Sequence, residues 1–244
     1  MSLKLTIIET GLPPLAIRDK YPKGYPAMFE ALFRRVDPDM TFETVALESG
    51  DALPDPETLE AILITGSAYG VYDDVPWMRT LEEWIGFAAE QRVPMLGICF
   101  GHQVIASALG GDVRKAVEKG WGVGRHTYQV ASHPDWMMPQ AETFAVGVSH
   151  QDQVLSTPIG AEVLAGNDFA PHAALVYSRA PILSFQGHPE FSDEFLMDLY
   201  EARKANPLTQ EQVDQARESF SQPDDNTLMA KWMVDFLKAN LRKS

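Results

Sequence analysis

Cys99 is the only cysteine in 244 residues, and glycines flank it in Gly97-Ile98-Cys99-Phe100-Gly101. The run before it, Val93 to Ile98, is short and apolar. The run after it, Gly101 to Leu109, has helical character and stops at Gly110-Gly111. A chain that passes sharply from strand to helix strains its turn residue, and small neighbours let the two elements approach. The side chain at the turn then projects at the helix N-terminus, where partial positive charge favours thiolate over thiol. The N–H of the next residue, Phe100, is placed to receive an oxyanion. A free cysteine can also serve as a small buried hydrophobe. The position between strand and helix favours the nucleophile.

A nucleophilic thiol needs a base. Of the six histidines, His188 stands in "SFQGHPEF". Pro189 biases His188 toward extended backbone, and side chains two apart on an extended chain point the same way. Glu190 can therefore accept from one imidazole nitrogen and leave the other to face a thiol. The set has the nucleophile, base and orienter of the Ser-His-Asp systems, with Cys99, His188 and Glu190 in the roles.

Such residues need a scaffold that presents strand ends. "LKLTIIE", "TFETVAL", "AILITG" and "VPMLGI" read as strands. "YPAMFEALFRRV", with Met28, Leu32 and Phe33 on one face, and "VPWMRTLEEWIGFAAEQR", with Pro76 suited to a first turn, read as helices. Strands alternating with helices predict parallel βαβ units covered on both faces. The middle of the chain breaks into short strands, "GWGVGRHTYQVA", "ETFAVGVSHQDQV", "AEVLAG", "HAALVYS" and "PILSF", expected to extend the sheet in antiparallel or mixed pairing. Beyond Glu190 the pattern is helical. Ser192 is an N-cap candidate, and "SQPDDN" separates the last two helices.

"GICFGHQ" and the downstream "GHPEF" resemble the class I (triad) glutamine amidotransferases, most closely the glutaminase domain of GMP synthetase and its stand-alone relatives. The resemblance covers Ala61 to Phe191. It implies a flavodoxin-like three-layer α/β fold with a mostly parallel central sheet, helices on both faces and a nucleophile elbow. From the run of elements along the chain, residues 1–200 are expected to form the amidotransferase-like domain and 201–244 a helical C-terminal extension packed on it. The resemblance also implies that Cys99, His188 and Glu190 hydrolyse the side-chain amide of glutamine through a γ-glutamyl thioester.

"LITGSAYG" stands where the family carries a Gly-Gly-Pro loop whose backbone N–H completes the oxyanion hole. Here Ser67 and Ala68 replace the second glycine and the proline. The resemblance pairs the Ser67 N–H with that of Phe100. "VSHQDQV" stands where the family holds the α-amino and carboxylate groups of glutamine, which carries over to Ser149, His150 and Gln151, with Gln103 and Gly66 beside them. His150 reads equally as a structural histidine, and His102 as packing below the elbow. His126, His133 and His172 have no partner pattern.

The chain has 20 basic and 34 acidic residues, for a net charge of -14, a field that repels nucleic-acid phosphates. No apolar run has the length of a membrane span. The short N-terminal apolar stretch reads as a first strand rather than a signal peptide. A single cysteine suits a reducing cytoplasm. No His/Cys spacing suits zinc, no phosphate loop appears, and no cofactor or metal is expected. Three readings compete: a stand-alone hydrolase of glutamine or another γ-glutamyl compound, a glutaminase subunit with a separately encoded synthetase partner, and a non-catalytic binding protein, which the complete triad disfavours. γ-Glutamyl peptidases share the expected fold and triad, so a γ-glutamyl peptide is an alternative substrate.

Overall fold

The computed structural model describes residues 2–242. Its first half alternates strand and helix as expected: β1 (Lys4–Glu9), the one-turn α1 (Leu15–Arg18), α2 (Gly24–Arg34), β2 (Thr41–Ala46), β3 (Ala61–Ile64), α3 (Met78–Glu90), β4 (Met95–Ile98) and α4 (Phe100–Ala108). The strand-rich middle follows as β5 (Asp112–Lys115), β6 (Gly122–Val130), β7 (Thr143–His150), β8 (Asp152–Ser156), β9 (Ala161–Gly166), β10 (Ala174–Tyr177) and β11 (Ile182–Phe185). The chain then forms α5 (Asp193–Arg203), α6 (Gln210–Ser219) and α7 (Asn226–Asn240).

One sheet in the order β2-β1-β3-β4-β11-β10-β9-β6-β7 organises the molecule. Its first five strands are parallel and the rest antiparallel. Side chains alternate across the central strands. Leu5, Ile7, Leu63, Leu96 and Ile98 face the core that holds Phe29 of α2 and Trp232 of α7. Ile8, Ile62, Ile64 and Met95 face the core under α3 and α4, with Leu81, Ile85, Val104 and Ile105. All four residues of β3 and of β4 are buried, which is why these strands read as continuous apolar runs. A third cluster, with Tyr25, Phe195, Tyr200 and Val213, packs α5 and α6.

β11 is the strand that matters most for the site. It is last in sequence yet pairs in parallel beside β4, with Ser184 opposite Gly97 and Phe185 opposite Ile98. β3 flanks β4 on the other side, with Ile64 opposite Gly97. Three adjacent parallel strands therefore end together, which is where open α/β sheets bind ligands.

Three local features differ from expectation. Helix α3 starts at Met78. Pro76 lies just before it, second in the turn closed by the Met78 N–H on the Val75 carbonyl, a position that suits its fixed φ. On α2 the buried face is Tyr25, Phe29, Leu32 and Phe33, and Met28 is half-buried against the third cluster. β8 leaves the large sheet and pairs with β5 in a separate antiparallel ribbon. Ser192 does cap α5, its hydroxyl accepting the Phe195 N–H at 3.1 Å.

Candidate active site

Cys99 follows β4 directly and is the residue before α4, with φ 54° and ψ -102°. Left-handed backbone on a non-glycine residue costs about 1–3 kcal/mol, so the surroundings must impose it. The Cys99 N–H donates to the Phe185 carbonyl at 2.9 Å, tying the turn to β11. The two glycines explain themselves sterically. A Cβ on Gly97 would lie 2.6 Å from the Gly101 carbonyl oxygen and from Ile105 Cδ1, and one on Gly101 would overlap the Ile64 carbonyl. The strand-to-helix turn closes only without side chains at both positions.

His188 arrives from the adjacent strand end. Its N–H donates to the Gly147 carbonyl at 2.9 Å, which anchors the segment after β11 to β7. His188 Nδ1 lies 2.7 Å from Glu190 Oε1, and both side chains are buried. The imidazole stacks on Phe191 with ring centroids 4.1 Å apart, which fixes its plane. A Cβ built on Gly66 would lie 2.9 Å from His188 Cε1 and 3.7 Å from Cys99 Cβ. Gly66, Cys99 and His188 therefore meet at one point. Burial acts most strongly on the His188 ring and opposes protonation. The Glu190 carboxylate and the Cys99 sulfur together outweigh it, so the ring is pushed up to about 10.

The loop after β3 carries Ser67. Its hydroxyl donates to the Thr10 carbonyl at 2.7 Å and accepts the Tyr69 N–H at 3.2 Å. Ser67 is not among the residues with positive φ, so a serine fits this backbone without strain. Neither the Ser67 N–H nor the Phe100 N–H has an acceptor among the described residues.

A cleft opens beside Cys99 between the Ser67–Asp73 loop and the end of β7, lined also by Gln103, Ser149, His150, Gln151 and Asp152. Gln103 Nε2 donates to the Asp152 carbonyl at 2.9 Å and to Gln186 Oε1 at 3.2 Å. Its donors are used within the protein, which leaves its amide oxygen for a ligand. His150 Nδ1 lies 3.0 Å from the same Asp152 carbonyl. Burial pushes His150 down to about 3, so the ring is neutral. It lines the cleft and also braces the bend between β7 and β8. His102 is buried and neutral, with Nδ1 2.8 Å from Ser184 Oγ beneath the elbow.

The cleft contains two residues, Tyr72 and Arg203, that no sequence pattern singled out. Tyr72 donates to Asp152 Oδ2 at 2.6 Å across it. Arg203, the last residue of α5, reaches it from the C-terminal helices, and Trp121 lies beneath the guanidinium. The two aromatics of "GWGVGRHTY" part ways: Trp121 lines the cleft, and Tyr128 is fully buried in the core. Among the described residues no group of three or more His, Cys, Asp or Glu is placed to hold a metal ion, and no helix is long and apolar enough to cross a membrane.

Comparison with known proteins agrees with this architecture. The sequence model of the family described as Glutamine amidotransferase class-I matches residues 40–196. Gamma-glutamyl peptidase 2 of Arabidopsis thaliana is 28% identical over 177 residues, which cover 71% of each chain. The glutamine-hydrolyzing GMP synthase subunit of Saccharolobus solfataricus is 34% identical over 131 residues, 54% of this chain and 67% of that one. The crystal structure of a glutamine amidotransferase from Thermotoga maritima superposes with a TM-score of 0.75 at 19% identity, covering 98% of this chain and 99% of the other, and so shares its fold.

Proposed function

Because the chain belongs to the class I glutamine amidotransferase family, we propose that it is a stand-alone cysteine hydrolase of γ-glutamyl amides. Its acyl donor is glutamine or a related γ-glutamyl compound. The observation that carries this reading is the convergence of Cys99 with the His188–Glu190 pair at the ends of β4 and β11.

In this reading the Cys99 sulfur attacks the γ-carbonyl carbon as thiolate, with His188 as the imidazolium. The tetrahedral oxyanion lies between the Ser67 and Phe100 N–H groups. Removing one such donor typically costs about 10²–10³-fold in turnover. His188 gives its proton to the leaving nitrogen, the C–N bond breaks, and a γ-glutamyl thioester remains. Water, losing a proton to His188, then hydrolyses the thioester to glutamate. Glu190 holds the ring orientation and supports its charge. The γ-glutamyl group is held around Gly66, Gln103, Ser149, His150 and Gln151. Residues 1–200 carry the chemistry, and 201–244 complete the same domain.

A second reading makes the chain a glutaminase subunit that delivers ammonia to a separate synthetase. The likeness to the GMP synthase subunit of Saccharolobus solfataricus supports it. One assay separates the two: ammonia release from glutamine, run beside hydrolysis of γ-glutamyl peptides, with and without cell extract. Turnover by the purified chain supports the stand-alone enzyme, and turnover that appears only with extract supports the subunit reading. Cys99→Ala and His188→Asn should each remove nearly all turnover, and Glu190→Gln should cost less. General acid–base steps are worth about 10²–10⁴-fold. No turnover under any condition would overturn both readings.

A further inference from the structure

The cleft beside Cys99 holds a cation without a counter-ion. Arg203 is half-buried, and the only hydrogen bond of its side chain among the described residues runs from Nη1 to Ser149 Oγ at 2.7 Å. Its guanidinium carbon lies 5.5 Å from the Trp121 ring centroid. Ser149 is buried at the end of β7, so the hydroxyl is a fixed post. The guanidinium is thus aimed by two neutral groups, and no carboxylate lies within ion-pair distance of it among the described residues. Its neighbours behave differently: Lys204 pairs with Glu201, and Arg217 pairs with Glu201 and Asp214. In a chain of net charge -14, carboxylates are plentiful, yet this arginine takes none.

A partly desolvated cation is costly unless something of opposite charge meets it. Arginine has five N–H donors in a planar fork that matches a carboxylate with two parallel bonds. The same cleft carries negative charge on Asp73 and Asp152, beside Tyr72. A pocket with both signs suits a ligand that carries both an ammonium and a carboxylate.

We infer that Arg203, held by Ser149 and Trp121, binds a carboxylate of the γ-glutamyl substrate and sets the enzyme's preference for acyl donors that carry that carboxylate. The inference deepens the hydrolase reading and rests on it. Arg203 lies beyond residues 40–196, the span matched by the family. The carboxylate belongs either to the γ-glutamyl group itself or to a leaving amino acid.

The test compares wild type, Arg203→Gln and Arg203→Lys on four substrates: glutamine, glutamine amidated at its α-carboxylate, γ-glutamylglycine, and γ-glutamylglycine amidated at its C-terminus. A hydrogen bond to a charged partner is worth about 1.5–3 kcal/mol, which is roughly 10–150-fold. Arg203→Gln should raise KM by about that factor with kcat within about threefold. Arg203→Lys should recover part of the loss. A penalty that vanishes on α-amidated glutamine identifies the α-carboxylate, and one that vanishes only on the C-terminal amide identifies the leaving group. Unchanged KM, or the same penalty on all four substrates, would overturn the inference.

If wild type hydrolyses none of them, the hydrolase reading fails separately. The arginine is then tested by thermal stabilisation of the Cys99→Ala protein with glutamate, α-amidated glutamate, γ-glutamylglycine and its C-terminal amide. Stabilisation that requires both a free carboxylate and Arg203 supports the inference. Stabilisation indifferent to Arg203, or none, overturns it.

Discussion

Cys99, His188 and Gly66 meet so closely that each constrains the others. A methyl group at residue 66 would press on His188 Cε1 at 2.9 Å, while the Cys99 Cβ at 3.7 Å is in ordinary contact. Gly66→Ala should therefore leave the fold intact and displace the imidazole. We expect a loss of about 10²-fold or more in kcat, within the range for acid–base steps, with an unchanged circular dichroism spectrum. Full activity in Gly66→Ala would show that the ring position is not critical. The charge on His188 gives a second prediction. Its folded value is raised from 6.5 to about 10, so the imidazolium persists through neutral pH. The ion-pair contribution to stability is then fully present below about 6.5 and is lost as pH rises through about 10. The alkaline limb of kcat/KM should accordingly lie well above the ordinary histidine value, and Glu190→Gln should move it down. An alkaline limb near 6.5 in the wild type would contradict the pairing.

At the scale of elements, the loop after β3 shows how a serine side chain can anchor a strand-end turn. The Ser67 hydroxyl ties the loop to Thr10 and to the Tyr69 N–H, and Thr10 in turn binds Thr65. Considered as a backbone donor alone, Ser67→Gly should leave activity unchanged or raise it by relaxing the loop. The two hydroxyl bonds reverse that expectation. Each neutral hydrogen bond is worth about 0.5–1.5 kcal/mol, and glycine adds backbone freedom in the unfolded chain. Ser67→Gly should lower both the thermal midpoint and kcat, the latter by several-fold. A gain in turnover would mean that the loop gains more from freedom than from anchoring.

At the scale of the whole molecule, the C-terminal helices are built into the core. Trp232 of α7 is fully buried against Phe144 of β7, and its indole N–H donates to the Pro139 carbonyl at 2.9 Å. Arg125 of β6 pairs with Asp193, at the start of α5, and with Asp224, just before α7. Gly124 admits α6 so closely that a Cβ there would lie 2.9 Å from Ala216 Cα. Trp232→Ala should cost about 3–5 kcal/mol and lower a single cooperative transition, measured by denaturant unfolding at two wavelengths. A separate early transition would instead mark residues 201–244 as an independent unit.

The elbow and the His-Pro-Glu segment were legible in the sequence because each is a local device. Strand, turn and helix around Cys99 follow from a run of consecutive residues. The Nδ1–Oε1 contact of His188 and Glu190 joins residues two apart. The parallel βαβ layout, the mixed second half and the Ser192 cap were legible for the same reason. Strand order was not, because hydrophobic periodicity records which face of a strand is buried and not which strand lies beside it. Only the tertiary structure inserted β11 next to β4 and so set His188 beside Cys99. It alone drew β8 out of the large sheet, brought Tyr72 to Asp152, and carried Arg203 from the C-terminal helices into the cleft. A lone arginine at a helix end has no distinguishing neighbours in sequence. Its meaning comes from the hydroxyl, the indole and the missing counter-charge that folding arranges around it.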